Sequence, residues 1–91
     1  MKLDPDPKLI QEIRTRRAQG QMPSEILRWM SSGNLTHIEM ILQFKAAFAL
    51  DLGDAACIDG WEPDGTGELK DADINGILER EITTREREHA A

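Results

Sequence analysis

Apolar residues recur along this chain at helical spacing, and the densest run, Thr36 to Leu50, predicts a central helix that the other elements must wrap. Thr36 and Glu39 stand in capping-box spacing: the hydroxyl can accept the backbone N–H three residues on, and the carboxylate can reach back to the first. Leu35 and Met40 can close over that turn as a hydrophobic staple. On a helical wheel Thr36, Glu39, Gln43, Ala46 and Ala47 share one narrow stripe, while Ile38, Ile41, Leu42, Phe44, Phe48 and Ala49 cover most of the rest. A helix so patterned must be covered on more than one side, and the narrow stripe is the face expected to meet solvent. Lys45 falls within the apolar arc, where its stem can lie along the core while its ammonium reaches water.

The flanking pattern supplies the wrappers. Pro5 and Pro7 make residues 1–6 an extended leader, and Asp6 then caps a helix that has Pro7 at its first position and Leu9, Ile10 and Ile13 as its stripe. That helix is expected over 7–18, stopping near Gly20, with Arg14, Arg16 and Arg17 in the last turn where positive charge suits the carbonyl end. Pro23 opens a second helix, with Ile26, Leu27, Trp29 and Met30 on one broad face and Ser31, Ser32 and Gly33 at its end, so that it forms a tight corner with the central helix. After Leu50, the run Asp51-Leu52-Gly53-Asp54 breaks the helix, and one or two further turns are expected to point Leu52 and Ile58 at the core. The last helix reads from 71 to 86 through Ile74, Ile77, Leu78 and Ile82, with Gly76 marking close packing against a neighbour. Residues 87–91 carry no apolar stripe and are expected to fray, leaving His89 solvated.

Composition agrees. Val and Tyr are absent and only four aromatic residues occur, which starves a sheet of its usual residues. At 91 residues there is room for one domain, an all-α bundle of four to five short helices around the central helix at 36–50, with an irregular acidic loop at 59–70. Cys57 is the only cysteine, so an intramolecular disulfide is impossible and a reducing cytoplasm suits the chain. The opening residues form no apolar run of signal-peptide length, and no stretch of about 18 uncharged apolar residues occurs, so neither export nor a membrane span is expected.

Charge is the most uneven property. Residues 1–50 hold seven Lys/Arg and five Asp/Glu, a balance of +2, whereas residues 51–91 hold four and twelve, a balance of −8. Eight of those acids fall within 51–73, against Lys70 alone, a segment that repels phosphate backbones and attracts basic surfaces or cations. Pro63-Asp64-Gly65 is a turn signal with a mechanism, since proline presets φ, aspartate bonds its own backbone and glycine accepts positive φ. Trp61, just before it, is expected to fold back as an apolar lid whose indole N–H needs a partner.

Residues 62–73 resemble an EF-hand calcium loop. The resemblance implies Glu62, Asp64, Thr66, Glu68 and Asp73 as metal ligands, with Gly67 at the turn and Leu69 at the apolar position. It departs from that pattern in having Glu62 first, the short Asp73 last and cationic Lys70 among the ligand positions. No cofactor other than such a calcium ion is suggested. Catalytic constellations are thin: His37 stands beside a helix cap, Cys57 has acids for neighbours, and neither H-x-x-x-H nor C-x-x-C occurs.

The leading expectation is therefore a non-enzymatic protein-binding module in which Asp59, Trp61, Glu62, Asp64 and Glu68 meet a basic partner, opposite charge speeding encounter and an exposed tryptophan anchoring the contact. In size, helicity and acidity the chain is similar to small bacterial immunity proteins that neutralise nuclease toxins, a likeness of type that no motif carries. The calcium module is the alternative. A helix-turn-helix DNA-binding regulator comes third: it requires Arg14, Arg16, Arg17 and Arg28 on one exposed face, and the outer stripe of the central helix offers no basic side chain for a groove. The broad apolar cover of that helix would also fit a homodimer.

Overall fold

Each helix begins where a local signal puts it. Asp6 accepts from the backbone N–H groups of Lys8 and Leu9, and α1 runs Pro7–Ala18. The chain turns at Gly20, whose φ of +92° suits a residue without a Cβ. Pro23 then starts α2, Pro23–Ser32, with the Glu25 carboxylate accepting from the Met22 N–H at 2.9 Å. Thr36 and Glu39 form the expected capping box on α3, His37–Phe48. The short α4, Leu52–Ala55, leads into a 3₁₀ turn at Ala56–Gly60, and after the loop α5 spans Asp71–Ala90. The structure, a computed structural model, describes residues 3–90, and side chains as far as Glu88. It is all-helical among those residues, and none of its helices is long and apolar enough to cross a membrane.

The core lies where α2, α3 and α5 converge. Ile26, Leu27 and Met30, Met40 and Phe44, and Ile74, Leu78 and Ile82 are all buried, joined by Ile13 from α1 and by Ile58 and Trp61 from the stretch before α5. Phe44 and Phe48 meet edge to face at 4.9 Å between centroids.

Several sequence expectations are corrected. The narrow stripe of α3 faces inward: Gln43 is fully buried, Glu39 and Ala47 nearly so, because α1 and the leader lie across it. Gln43 holds the leader there, its Nε2 donating to the Asp4 carbonyl at 2.7 Å and its Oε1 accepting the Asp6 N–H at 3.0 Å. Ile38, placed in the apolar arc, is instead 52% exposed. The central helix ends at Phe48, two residues early, since Ala49 adopts φ +55° and the chain folds Leu50 back into the core. Leu52 is 55% exposed rather than core-facing, because α4 turns Ala55 inward and leaves its first residue outside.

Gly76 meets nothing within 4 Å of where a Cβ would stand, so it marks no close helix contact. Helix α5 extends to Ala90, its last turns rich in helix-forming Arg and Glu and carrying the Arg85–Glu88 pair at 3.5 Å. The solvated state expected of His89 lies outside the described side chains, as do Met1 and Lys2 of the leader and Ala91 of the tail.

Candidate functional site

The acidic loop is built from a buried tryptophan outward. Trp61 has no exposed surface, and its indole N–H donates to Asp71 Oδ1 at 2.8 Å. This gives the lid expected of it and its polar partner, and it overturns the expectation of an exposed anchor: a ring this size is worth more inside the core than at a surface. Arg28 of α2 grips the same assembly. Its guanidinium lies 5.4 Å from the Trp61 ring centroid, donates to both oxygens of Asp71 at 3.0 and 3.1 Å, and reaches the Pro63 carbonyl at 3.2 Å. The indole N–H first, and Arg28 after it, hold the Asp71 carboxyl below its usual range.

On the other side His37 ties the loop to α3. Its Nε2 is 2.9 Å from the Trp61 carbonyl and 3.0 Å from Glu62 Oε1, and since both are acceptors Nε2 carries the proton that they share.

The far strand of the loop returns against this base. Leu69 N–H donates to the Gly60 carbonyl at 2.8 Å, and Gly67 crosses so near that a Cβ there would stand 2.6 Å from the Gly60 oxygen and 2.8 Å from the Glu62 nitrogen. Only glycine fits such a crossing. Lys70 closes the tip, its ammonium donating to the carbonyls of Gly65 at 2.6 Å and Gly67 at 3.0 Å. Asp64 makes the turn that Pro-Asp-Gly foretold, accepting from both the N–H and the hydroxyl of Thr66, and those bonds lower its pKa.

Most of the eight acids within 51–73 are thus already engaged. Asp73 accepts the Lys70 N–H at 3.0 Å and starts α5, and Asp51 and Asp54 take Arg85 at 2.7 and 3.7 Å. Asp59 and Glu68 are exposed and have no polar partner among the described residues; Asp64 is exposed too, its bonds confined to its own turn. Of the five expected partner-binding residues, Asp59, Asp64 and Glu68 reach solvent, Glu62 is half-buried against His37, and Trp61 is inside.

The ligand positions of the EF-hand-like loop are not brought together. Glu62, Asp64 with Thr66, and Asp73 each serve a different internal contact, and the Lys70 ammonium occupies the carbonyls at the tip. Among the described residues no three His, Cys, Asp or Glu side chains are grouped to hold a metal ion.

Nor do the four arginines share a face. Arg14 donates to the Ala47 carbonyl, Arg16 pairs with Glu12 and covers Trp29, Arg17 pairs with Glu79 and Glu86, and Arg28 belongs to the loop. Cys57 donates its S–H to the Asp54 carbonyl at 3.2 Å, and burial, with Asp54 and Glu81 adding, pushes the thiol's pKa up and keeps it protonated. Sequence reasoning missed Arg28, His37 and Asp71 as loop supports. The one signal that pointed to them was the demand of the Trp61 N–H for an acceptor. No protein-family model, no curated protein and no solved structure matches the chain.

Proposed function

We propose that the protein is a small non-enzymatic protein-binding module, a regulator, inhibitor or immunity-type protein, that presents its acidic loop to a partner with a basic surface. The reading rests on one observation: Asp59, Asp64 and Glu68 stand exposed on a loop whose backbone is clasped at Trp61, Gly67 and Lys70. Carboxylates held on a fixed frame lose little conformational entropy on binding, and the −8 balance of residues 51–91 steers a basic partner toward them. Trp61 enters this reading as the strut beneath the surface, not as the contact. His37, whose Nε2 meets two acceptors, and Cys57, whose thiol pKa is raised, take no part in this reading.

The test is paired affinity capture, with the native chain and the triple variant Asp59→Asn, Asp64→Asn, Glu68→Gln as baits in the same lysate at low and high salt. A basic protein held by the native chain at low salt, released by high salt and lost on the variant is the expected result. Identical capture by both baits would sink the reading.

A further inference from the structure

Where α1, the end of α3 and the second half of α5 meet, a cleft of about 590 Å³ opens, within the size range of small-molecule sites. Ala47 and Phe48 give it an apolar floor, and its walls carry three arginines, Arg14 and Arg17 of α1 and Arg85 of α5, beside Glu86. The three differ in what they already hold. Arg17 is committed, Nη1 to Glu79 and Nη2 to Glu86 at 3.3 Å. Arg85 is paired on both Nη atoms, Nη2 with Asp51 at 2.7 Å and Asp54 at 3.7 Å and Nη1 with Glu88 at 3.5 Å, but its Nε is buried and has no hydrogen-bond partner among the described residues. Arg14 spends its Nε–H on the Ala47 carbonyl at 2.8 Å, and its guanidinium meets no carboxylate among those residues.

A buried N–H without an acceptor is rare in native proteins, which usually supply one from water or a ligand. Here the residue that carries this donor lines the same cleft as an arginine lacking a counter-charge, over an apolar floor. We propose that the cleft binds a small monocarboxylate with a compact apolar or aromatic body, the carboxylate bridging the Arg14 guanidinium and the Arg85 Nε–H while the body rests on Phe48 and Ala47. Planar guanidinium donors match a planar carboxylate, and Arg14 alone of the three arginines meets none among the described residues, which leaves a place for a single negative charge. Glu86 in the wall repels a second, which disfavours a dianion. None of these residues belongs to loop 59–70, so this site and the partner-binding reading stand or fall separately.

The probe is phenylacetate, titrated into the isotope-labelled 91-residue chain while backbone amide and arginine Nε resonances are followed by NMR. Phenylacetamide, acetate and inorganic phosphate form the comparison arms. Saturable shifts confined to the cleft, with a Kd of about 1 mM as suits so small a ligand, are expected. Phenylacetamide should bind about tenfold more weakly, because it loses the charge-assisted bonds, and acetate more weakly too, because it lacks the body. Arg14→Gln should weaken phenylacetate about tenfold and Arg14→Lys by less. A response to phenylacetamide equal to that of phenylacetate, shifts outside the cleft, or none that saturate would overturn the site. Phosphate binding there more tightly than phenylacetate would overturn the ligand class. If Arg14→Gln does not fold, the charged and neutral ligands on the native chain decide the matter alone.

Discussion

Two irregular segments are tied to the same helical body by opposite chemistry. The leader at 3–6 is held by the amide of Gln43, fully buried, which bonds the Asp4 carbonyl and the Asp6 N–H. The loop at 60–70 is held near the surface by contacts that involve charged groups: Asp71 with Arg28, the Glu62 carboxylate against His37 Nε2, and Lys70 over two carbonyls. An amide has no ionisable group of its own, whereas bonds between charged groups near the surface are screened by salt. The clasp built of charged groups is thus the one beneath the candidate docking carboxylates.

The contrast breaks most severely at Trp61, the neutral centre of the charged clasp. Trp61→Ala removes a fully buried indole and should cost about 3–5 kcal/mol, read as a fall in urea midpoint; a cost below 1 kcal/mol would mean the ring is not the loop's foundation.

Next comes Gln43→Ala, which leaves the Asp4 carbonyl and the Asp6 N–H without their partner. It should cost about 1–3 kcal/mol, by the same amount at pH 7 as in mild acid, and a strong pH dependence of that cost would remove the neutral side of the contrast. Gly67→Ala forces apart backbones that leave no room for a Cβ and should cost about 1–2 kcal/mol. Faster hydrogen exchange at Leu69 with the Asp6 amide unchanged would place that damage in the loop alone.

The smallest effect sharpens the contrast furthest. The Asp71 carboxyl has a lowered pKa in the folded chain, so folding favours its ionised form. The stability it adds is complete above the ordinary carboxylate range, about pH 4, and is lost as pH falls through the lowered folded value. With the Asp71 side chain 47% exposed, solvent screening keeps the charge contribution under about 1 kcal/mol. Asp71→Asn should thus differ slightly from the native chain at pH 7 and not at all in strong acid. A difference that grows on acidification would reverse the assigned sign.

How much of this the sequence discloses follows from the range of each interaction. Asp6 before Pro7, Pro23, and Thr36 with Glu39 act within three residues, so the helix starts could be read directly. Helix periodicity likewise identified Ile74, Leu78 and Ile82. Gln43 was misplaced because its partners lie 37 and 39 residues away and a polar side chain carries no sign that an amide clasp will bury it. Trp61 drew two opposed expectations because only the distant Arg28 and Asp71 decide which side of the surface the indole occupies. The carboxylates of the loop were visible as a cluster, but which were spent internally depended on His37 and Arg85, brought near by packing.

The crossing at Gly67 also divides the loop by its freedom to vary over generations. Positions 61, 67 and 71 form the frame, and a substitution there disturbs the core or the crossing. Thr66 and Glu68, by contrast, are exposed, and Gly65 asks only for a residue that tolerates its φ of +83°. Descendants of this sequence can thus exchange exposed residues of the tip without refitting the body beneath it.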